Sequence, residues 1–329
     1  MLRKDISKGR AVLVIAGILS ACAQPVRLYG STLGVANAYN VFVEGSFTAT
    51  GADTGGRIAV GGTASFPGYY SVGDAILDTF TAPDNNTLDV NSNISTGPAQ
   101  VYYGNNTNSI AGNAYQAALG KSTAVMMGGG QLVTGGADPI NFTAQFSFLS
   151  AYATQLSQLT ANSTVSNNGY GTITLTGTDP TLEVFDLPIA DLGGSNALAI
   201  NVNSSATVLI NVIGSSLITS NSGFFLNGTQ IIGNSATGYE HVLFNFYQAT
   251  SIQFGGTFQG TVLAPNAVTS GGGGQMDGGL IARSYSGNIE FHDLLFNGNL
   301  PAVVPEPSPF LLCGAGLILV GLAGRRKRS

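Results

Sequence analysis

Read for polarity alone, the chain alternates short apolar stretches with clusters of Gly, Asn, Ser and Thr. The run from Asn40 to Thr50 (N-V-F-V-E-G-S-F-T-A-T) alternates like a strand with a break at Gly45; residues 51–56 then turn the chain, and Arg57 to Val60 begins the next strand before Gly61 and Gly62. The same pattern predicts strands near 69–72, 99–103, 171–177, 197–202, 206–212, 223–226, 240–246, 251–254, 260–264 and 279–282. Many place Val, Ile or Leu at every second position with Asn, Ser or Thr between, as a solenoid coil or one face of a β-sandwich requires. The tight two-residue turns of a meander are few, so the spacing suggests stacked rungs, and the lack of a fixed period suggests irregular coils.

One segment has a different period. Between about 138 and 161, Phe142, Phe146, Leu149, Ala153, Leu156 and Leu159 follow at steps of three and four, which places them on one face of a helix. Thr143, Gln145, Ser147, Gln155 and Ser157 occupy the other face, so the helix should lie outside a β-body with its Phe/Leu stripe inward. Asp138 before Pro139 is the expected N-cap, and Asn162-Ser163 the expected stop.

Both termini read as addresses. Residues 1–23 form a signal peptide: Arg3, Lys4, Lys8 and Arg10 precede an apolar stretch from Ala11 to Leu19 and the small residues Ser20 to Ala23. Cleavage after Ala23 and a lipobox in which Cys22 is lipidated both fit this stretch. Residues 301–329 contain Val304-Pro305-Glu306-Pro307, an apolar run from 310 to 323, and the cations Arg325, Arg326, Lys327 and Arg328. The prolines keep the motif extended, and the cations act as a membrane stop because moving them through hydrocarbon is too costly. The run is shorter than the roughly 20 residues that span a bilayer comfortably, which suits a transient hold. This arrangement resembles the PEP-CTERM sorting signal of Gram-negative bacteria. The resemblance implies Sec export, signal peptidase and exosortase as processing partners, cleavage at Pro-Glu-Pro, and passage from the inner membrane to the cell surface or extracellular matrix. An ordinary C-terminal membrane tail is the plain alternative.

Setting the termini aside changes the charge picture. Residues 24–304 keep only Arg27, Arg57, Lys121 and Arg283 against fifteen acids, 4 − 15 = −11, and such a body repels phosphate backbones, excluding nucleic acid as a partner. The only cysteines, Cys22 and Cys313, lie in the terminal segments, so the body has neither a disulfide nor a thiolate metal site. With 46 glycines, no tryptophan and only 9% charged residues, the body reads as short strands and tight turns under a neutral polar surface; 44% apolar residues argue against disorder.

Candidate chemistry is sparse. Glu290 and His292 alternate on an expected strand with Asp293 beside them and could begin a metal site, but Glu240 and His241 are the only comparable pair, and a satisfied structural histidine explains the motif. Asp74, Asp78, Asp84 and Asp89 lack Ca²⁺-loop spacing and read as solvated loop residues. No nucleophile elbow, Cys-His pair or phosphate loop is present, and Gly128–Gly130 and Gly271–Gly274 read as turns. No catalytic residue, cofactor or metal is therefore assigned. Two features could contact a ligand: the alternating hydroxyls of Thr172, Thr174 and Thr176, and the Tyr69-Tyr70 and Tyr102-Tyr103 pairs, from which Tyr70 and Tyr103 are taken as outward rings.

Residues 41–47 with 56–62, the single Phe/Leu helix, and 260–267 with 278–282 and 290–292 resemble the "choice-of-anchor A" surface domain, an adhesin-like family. The outline is also similar to ice-binding β-solenoids. Glu44-Gly45-Ser46 departs from the Gly-Asp expected before the aromatic. The resemblance implies one mainly β domain over 24–300: a right-handed parallel β-solenoid-like body with one long flanking helix, a β-sandwich being the alternative. It implies an exported, non-enzymatic surface or matrix protein that contacts exopolysaccharide or other cells. A carbohydrate-active enzyme would need carboxylates facing across a groove, and an ice binder a long flat face of aligned Thr rows.

Overall fold

The computed structural model describes residues 33–76, 86–102, 112–220, 223–231 and 238–302. Both terminal segments, including the Val304–Pro307 motif, the apolar run and the basic tail, lie outside these residues, as do Tyr103, Asp78 and Asp84. Among the described residues no helix is long and apolar enough to cross a membrane.

Starting at Val41–Val43, the chain winds through three strand positions per coil. Phe47–Ala49 and Asp53–Thr54 complete the first coil, and Ile58–Val60, Ala64–Ser65 and Tyr70–Val72 form the second. Each coil stacks on the last in parallel register: Val41 opposes Ile58, Ile58 opposes Leu88, and Ala114 opposes Leu88 and then Leu132. Parallel pairing is what a chain needs when it returns to the same edge after a full circuit. At Leu132–Thr134 the winding stops, and helix α1 (Phe142–Leu156) carries the chain to the far end. There the winding resumes at Thr172–Thr176 and Leu182–Pro188 and proceeds back toward the start. The final coil closes on the first: Leu280 opposes Val41, Tyr285 opposes Phe47, and Phe291 opposes Thr54. The solenoid is thus continuous in space and interrupted in sequence, with a seam at its middle. A sandwich is excluded, because the pairings are parallel except in two hairpins, Thr164–Asn167 with Thr172–Thr176 and Gly223–Leu226 with Thr229–Ile231.

Strand alternation fills the bore. Phe47, Phe66, Tyr70, Phe244, Phe254, Phe258, Tyr285 and Phe291 are all at most 2% exposed and meet ring to ring inside the coils. Neighbouring coils leave no room for side chains at certain corners. At Gly97 (φ +83°) an added Cβ would lie 2.0 Å from the Phe66 carbonyl oxygen, and at Gly278 (φ +154°) 2.2 Å from that of Gly260, so only glycine fits either place.

Helix α1 covers one face of the solenoid. Its Phe142, Phe146, Leu149, Ala153 and Leu156 are buried with Tyr152, as the 3.6-residue period predicts, and pack on Phe42, Ala59, Leu209, Leu243, Leu263 and Ile281. Phe42 stacks on Phe142 at 5.2 Å and on Phe146 at 5.5 Å. The helix is shorter than 138–161, and its N-cap is Asn141, whose side chain accepts from the Ala144 N–H at 3.0 Å; Asp138 instead accepts from Ile140 N–H at 2.8 Å, one turn too early to cap. At the other end Asn245 donates to the Ala153 carbonyl (2.8 Å) and Asn211 to that of Leu156 (3.3 Å), satisfying carbonyls a helix terminus leaves free. The last described residues cross this side too: Asn37 donates to the Phe296 carbonyl (3.0 Å) and Tyr152 to that of Pro301 (2.8 Å).

Candidate functional site

The second face of the solenoid has no helix over it. Seven parallel strands lie side by side there, each contributing a triplet that points out, in and out. The inward residues Leu217, Ile252, Thr269, Tyr285, Phe47, Ala64 and Ile94 are all buried. The registers align the outward residues in two rows. One runs Ile218, Gln253, Ser270, Ser286, Thr48, Ser65, Ser95. Two residues earlier in each strand, the other runs Ser216, Ser251, Val268 and Ser284 and continues across the seam through Ser46, Thr63 and Asn93; backbone bonds from Tyr285 N–H to Ser46 O (3.1 Å), Phe47 N–H to Thr63 O (3.0 Å) and Ala64 N–H to Asn93 O (3.1 Å) fix that continuation.

Ten of these fourteen positions are Ser or Thr and none is charged. Rung spacing of about 4.8 Å sets the repeat along each row. Behind the rows Phe47 stacks on Tyr285 at 5.3 Å and meets Phe66 at 5.8 Å, a close-packed backing at the seam. Several hydroxyls are engaged within the face: Thr63 donates to Asn93 Oδ1 (3.1 Å), Ser95 to the Ala64 carbonyl (3.3 Å), and Ser65 pairs with Thr96. Each hydroxyl keeps acceptor capacity for a ligand beyond such a bond.

The sequence-predicted contacts lie elsewhere. Thr172, Thr174 and Thr176 do share one side of their strand, but the next strand opposes them with Ala197, Ala199 and Asn201, so no multi-coil hydroxyl row forms. Tyr70 must be withdrawn as a ligand contact. It is 1% exposed, in the bore, bonded to the Thr54 hydroxyl at 2.8 Å, whereas its neighbour Tyr69 is 75% exposed. The overlooked signal was the triplet itself: S-F-T at 46–48, T-A-S at 63–65, N-I-S at 93–95 and S-Y-S at 284–286.

The third face carries the titratable groups. Glu290 and His292 do point the same way, and His292 Nε2 lies 3.0 Å from Glu290 Oε1, but its Nδ1 is engaged by fully buried Asp277. With both ring nitrogens held by carboxylates, this histidine is built as a cation: burial pulls its pKa down, and the bonds to Asp277 and Glu290 more than reverse this. Burial, with repulsion from Asp74 and Glu290, pushes Asp53 up to about 6. Among the described residues no three His, Cys, Asp or Glu side chains are placed to hold a metal. Asp89, expected in a solvated loop, is buried and takes hydrogen bonds from Tyr39 (2.8 Å) and Asn86 (2.7 Å).

The match that classifies this chain spans residues 32–293, the whole winding body. The chain belongs to the ice-binding-like adhesive domain family. No curated protein matches it in sequence. Among solved structures, this adhesive domain is similar to an ice-binding protein from the Antarctic ascomycete Antarctomyces psychrotrophicus, at 14% identity over 81% of this chain and 98% of that one, with a TM-score of 0.38. It is also similar to an ice-binding protein from an Antarctic biological consortium (16%, 79% and 88%, 0.36) and to LeIBP from an Arctic yeast (12%, 83% and 96%, 0.38). The family is set by the sequence match, and the solenoid by the strand pairing described above.

Proposed function

We propose that this adhesive domain is a non-catalytic surface protein that grips an extended, hydroxyl-rich polymer, exopolysaccharide in the first instance, through the hydroxyl face. The observation that carries this reading is the double row of uncharged side chains, ten of the fourteen Ser or Thr, held in register across seven coils. A regular, rigid row of donors and acceptors loses little entropy on binding and can meet a repeating chain of sugar hydroxyls many times over, so weak contacts add up. The terminal segments support export by the Sec route and exosortase processing at Val304–Pro307, as in choice-of-anchor A proteins of Gram-negative bacteria. Expression with and without an exosortase, followed by mass and fractionation, tests that part; a full-length tail that stays in the inner membrane despite the exosortase defeats it.

Ice is the second reading, favoured by the even rung spacing of the two rows. Eight of the ten hydroxyl residues are Ser, however, and Ser lacks the methyl that Thr adds, which leaves a wetter face suited to exchanging hydrogen bonds with sugars. Binding assays on acidic and neutral polysaccharides and a thermal-hysteresis measurement on one preparation separate the readings. Polysaccharide retention without hysteresis is expected; hysteresis without retention replaces the first reading by the second.

A further inference from the structure

The two ends of the solenoid are finished differently. At the far end part of the outer edge of Leu182–Pro188 is covered. Asn162 acts as a one-residue strand against Leu182–Pro188, donating from its backbone N–H to Val184 O (3.2 Å), accepting from Val184 N–H on Oδ1 (2.7 Å) and donating from Nδ2 to Leu182 O (2.9 Å). Beside it Thr164–Asn167 pairs antiparallel along the outer edge of Thr172–Thr176. At the near end, Ala124–Met126 pairs with Ala99–Val101 and Leu132–Thr134 with Asn113–Gln116, and among the described residues no strand lies beyond either.

An uncapped coil exposes backbone N–H and C=O groups of its outer strands, and proteins normally protect such edges with charge, proline or a cover. Neither edge strand here (A-V-M and L-V-T) holds a charge or a proline. Three of the eight large apolar side chains exposed among the described residues belong to this last coil: Leu119 (87%), Val133 (48%) and Val125 (44%). Leu119 lies against the turn just past the edge strand, since a Cβ on Gly135 would meet it at 2.4 Å. Residues 112–137, which build this end, contain no Asp or Glu and one cation, Lys121.

We infer that this end is an interface for a second copy of the same chain, open end against open end about a two-fold axis, with Leu132–Thr134 pairing antiparallel to its counterpart. The sheet then runs through both solenoids and the exposed Val and Leu side chains are covered. No carboxylate of residues 112–137 opposes that contact. A two-fold contact uses the same edge of both copies, so the assembly stops at two.

The test is the mass of the detergent-extracted full chain, by light scattering on size exclusion, across a hundredfold range of concentration. A species of about twice 33.6 kDa that dissociates on dilution is expected. Val133→Lys with Val125→Lys should weaken it at least tenfold, about 1.4 kcal/mol, while Val268→Lys on the hydroxyl face leaves it unchanged; circular dichroism checks that each variant is folded. In a background of Cys22→Ser and Cys313→Ser, Val133→Cys should give a disulfide-linked dimer on mild oxidation. A monomer at every concentration, an open-ended series of larger species, or a dimer indifferent to Val125→Lys and Val133→Lys overturns the inference.

Discussion

The hydroxyl face and the third face cross the same seam, are built from the same coils and share the same bore, yet their outward chemistry is opposite. On the hydroxyl face Thr48 meets Ser286 across the join, one small neutral group beside another. On the third face Phe291 opposes Thr54, which sets Glu290 beside Asp53 in the preceding position, two carboxylates directly opposed. Like charges so placed oppose pairing, and here His292 lies close by with Asp277 beneath it. A face that must present an even array to something outside keeps one residue class along each row. A face that only has to hold the join tolerates a local arrangement of charge.

The comparison breaks most severely if the shared support is removed. Phe47 is fully buried and meets Phe66, Tyr70 and Tyr285, while Tyr285 in turn meets Phe291 beneath the third face at 5.1 Å. Phe47→Ala should cost about 3–5 kcal/mol, the transfer loss plus a cavity that stacked coils cannot collapse. Thermal denaturation should show a Tm lower by about 10 °C, with both faces lost in one transition. A smaller effect belongs to the helix side. Asn245→Ala removes donors to Ala153 O (2.8 Å) and Asn211 Oδ1 (2.9 Å) and leaves a buried helix carbonyl short of a partner, for about 1–3 kcal/mol in chemical denaturation. Because it touches neither exposed face, it should leave ligand binding by the folded protein intact.

The third face should announce itself through pH. Asp53 is raised from 3.8 to about 6 in the folded chain, so the folded state holds its proton more tightly, and stability is lost as pH rises through that interval. His292 lies above its ordinary 6.5 when folded; the stability its charge contributes is present below 6.5 and is lost as pH rises through the folded value. Both act in the same direction, so the protein should be more stable near pH 5 than near pH 8. Half-exposed groups are screened, which reduces the effect of each to about 1 kcal/mol. Asp53→Asn, a fixed neutral mimic of the protonated acid, should recover about that much near pH 8 and flatten the slope; an unchanged slope means the carboxylates at the seam are not coupled as described.

Much of this architecture was legible locally. The Phe142 to Leu156 stripe declared a helix because its period is set by residues within a few positions of one another, and the alternation around Val41 and Phe47 declared strands for the same reason. The seam was not legible, because nothing near Val41 encodes its pairing with Leu280, and register partners Val41, Ile58, Leu88 and Ala114 lie at unequal separations that hide the coil repeat. The hydroxyl rows were missed for a related reason. They run across strands, so each coil shows only a triplet, whereas Thr172, Thr174 and Thr176 run along one strand and catch the eye. Tyr70 was misplaced because a two-residue aromatic pair at the start of a strand does not declare which ring enters the bore.

The smallest expected change in stability sharpens the contrast furthest. Thr48→Ala with Ser286→Ala removes two hydroxyls that face solvent from paired positions inside the unbroken run Ser270, Ser286, Thr48, Ser65 and Ser95, and neither side chain supports the bore. Stability should move by less than about 0.5 kcal/mol, as surface changes away from core, cap and buried polar groups do. Retention on polysaccharide should nonetheless fall, because a gap at the centre divides the row into shorter runs and the contacts of an extended ligand no longer add across it. The matched control is Ser71→Ala with Gln100→Ala, neighbours in register on the third face, which leaves retention as it was. If the two double variants reduce retention equally, the hydroxyl face is not the binding surface, and the difference between the two faces is one of charge alone.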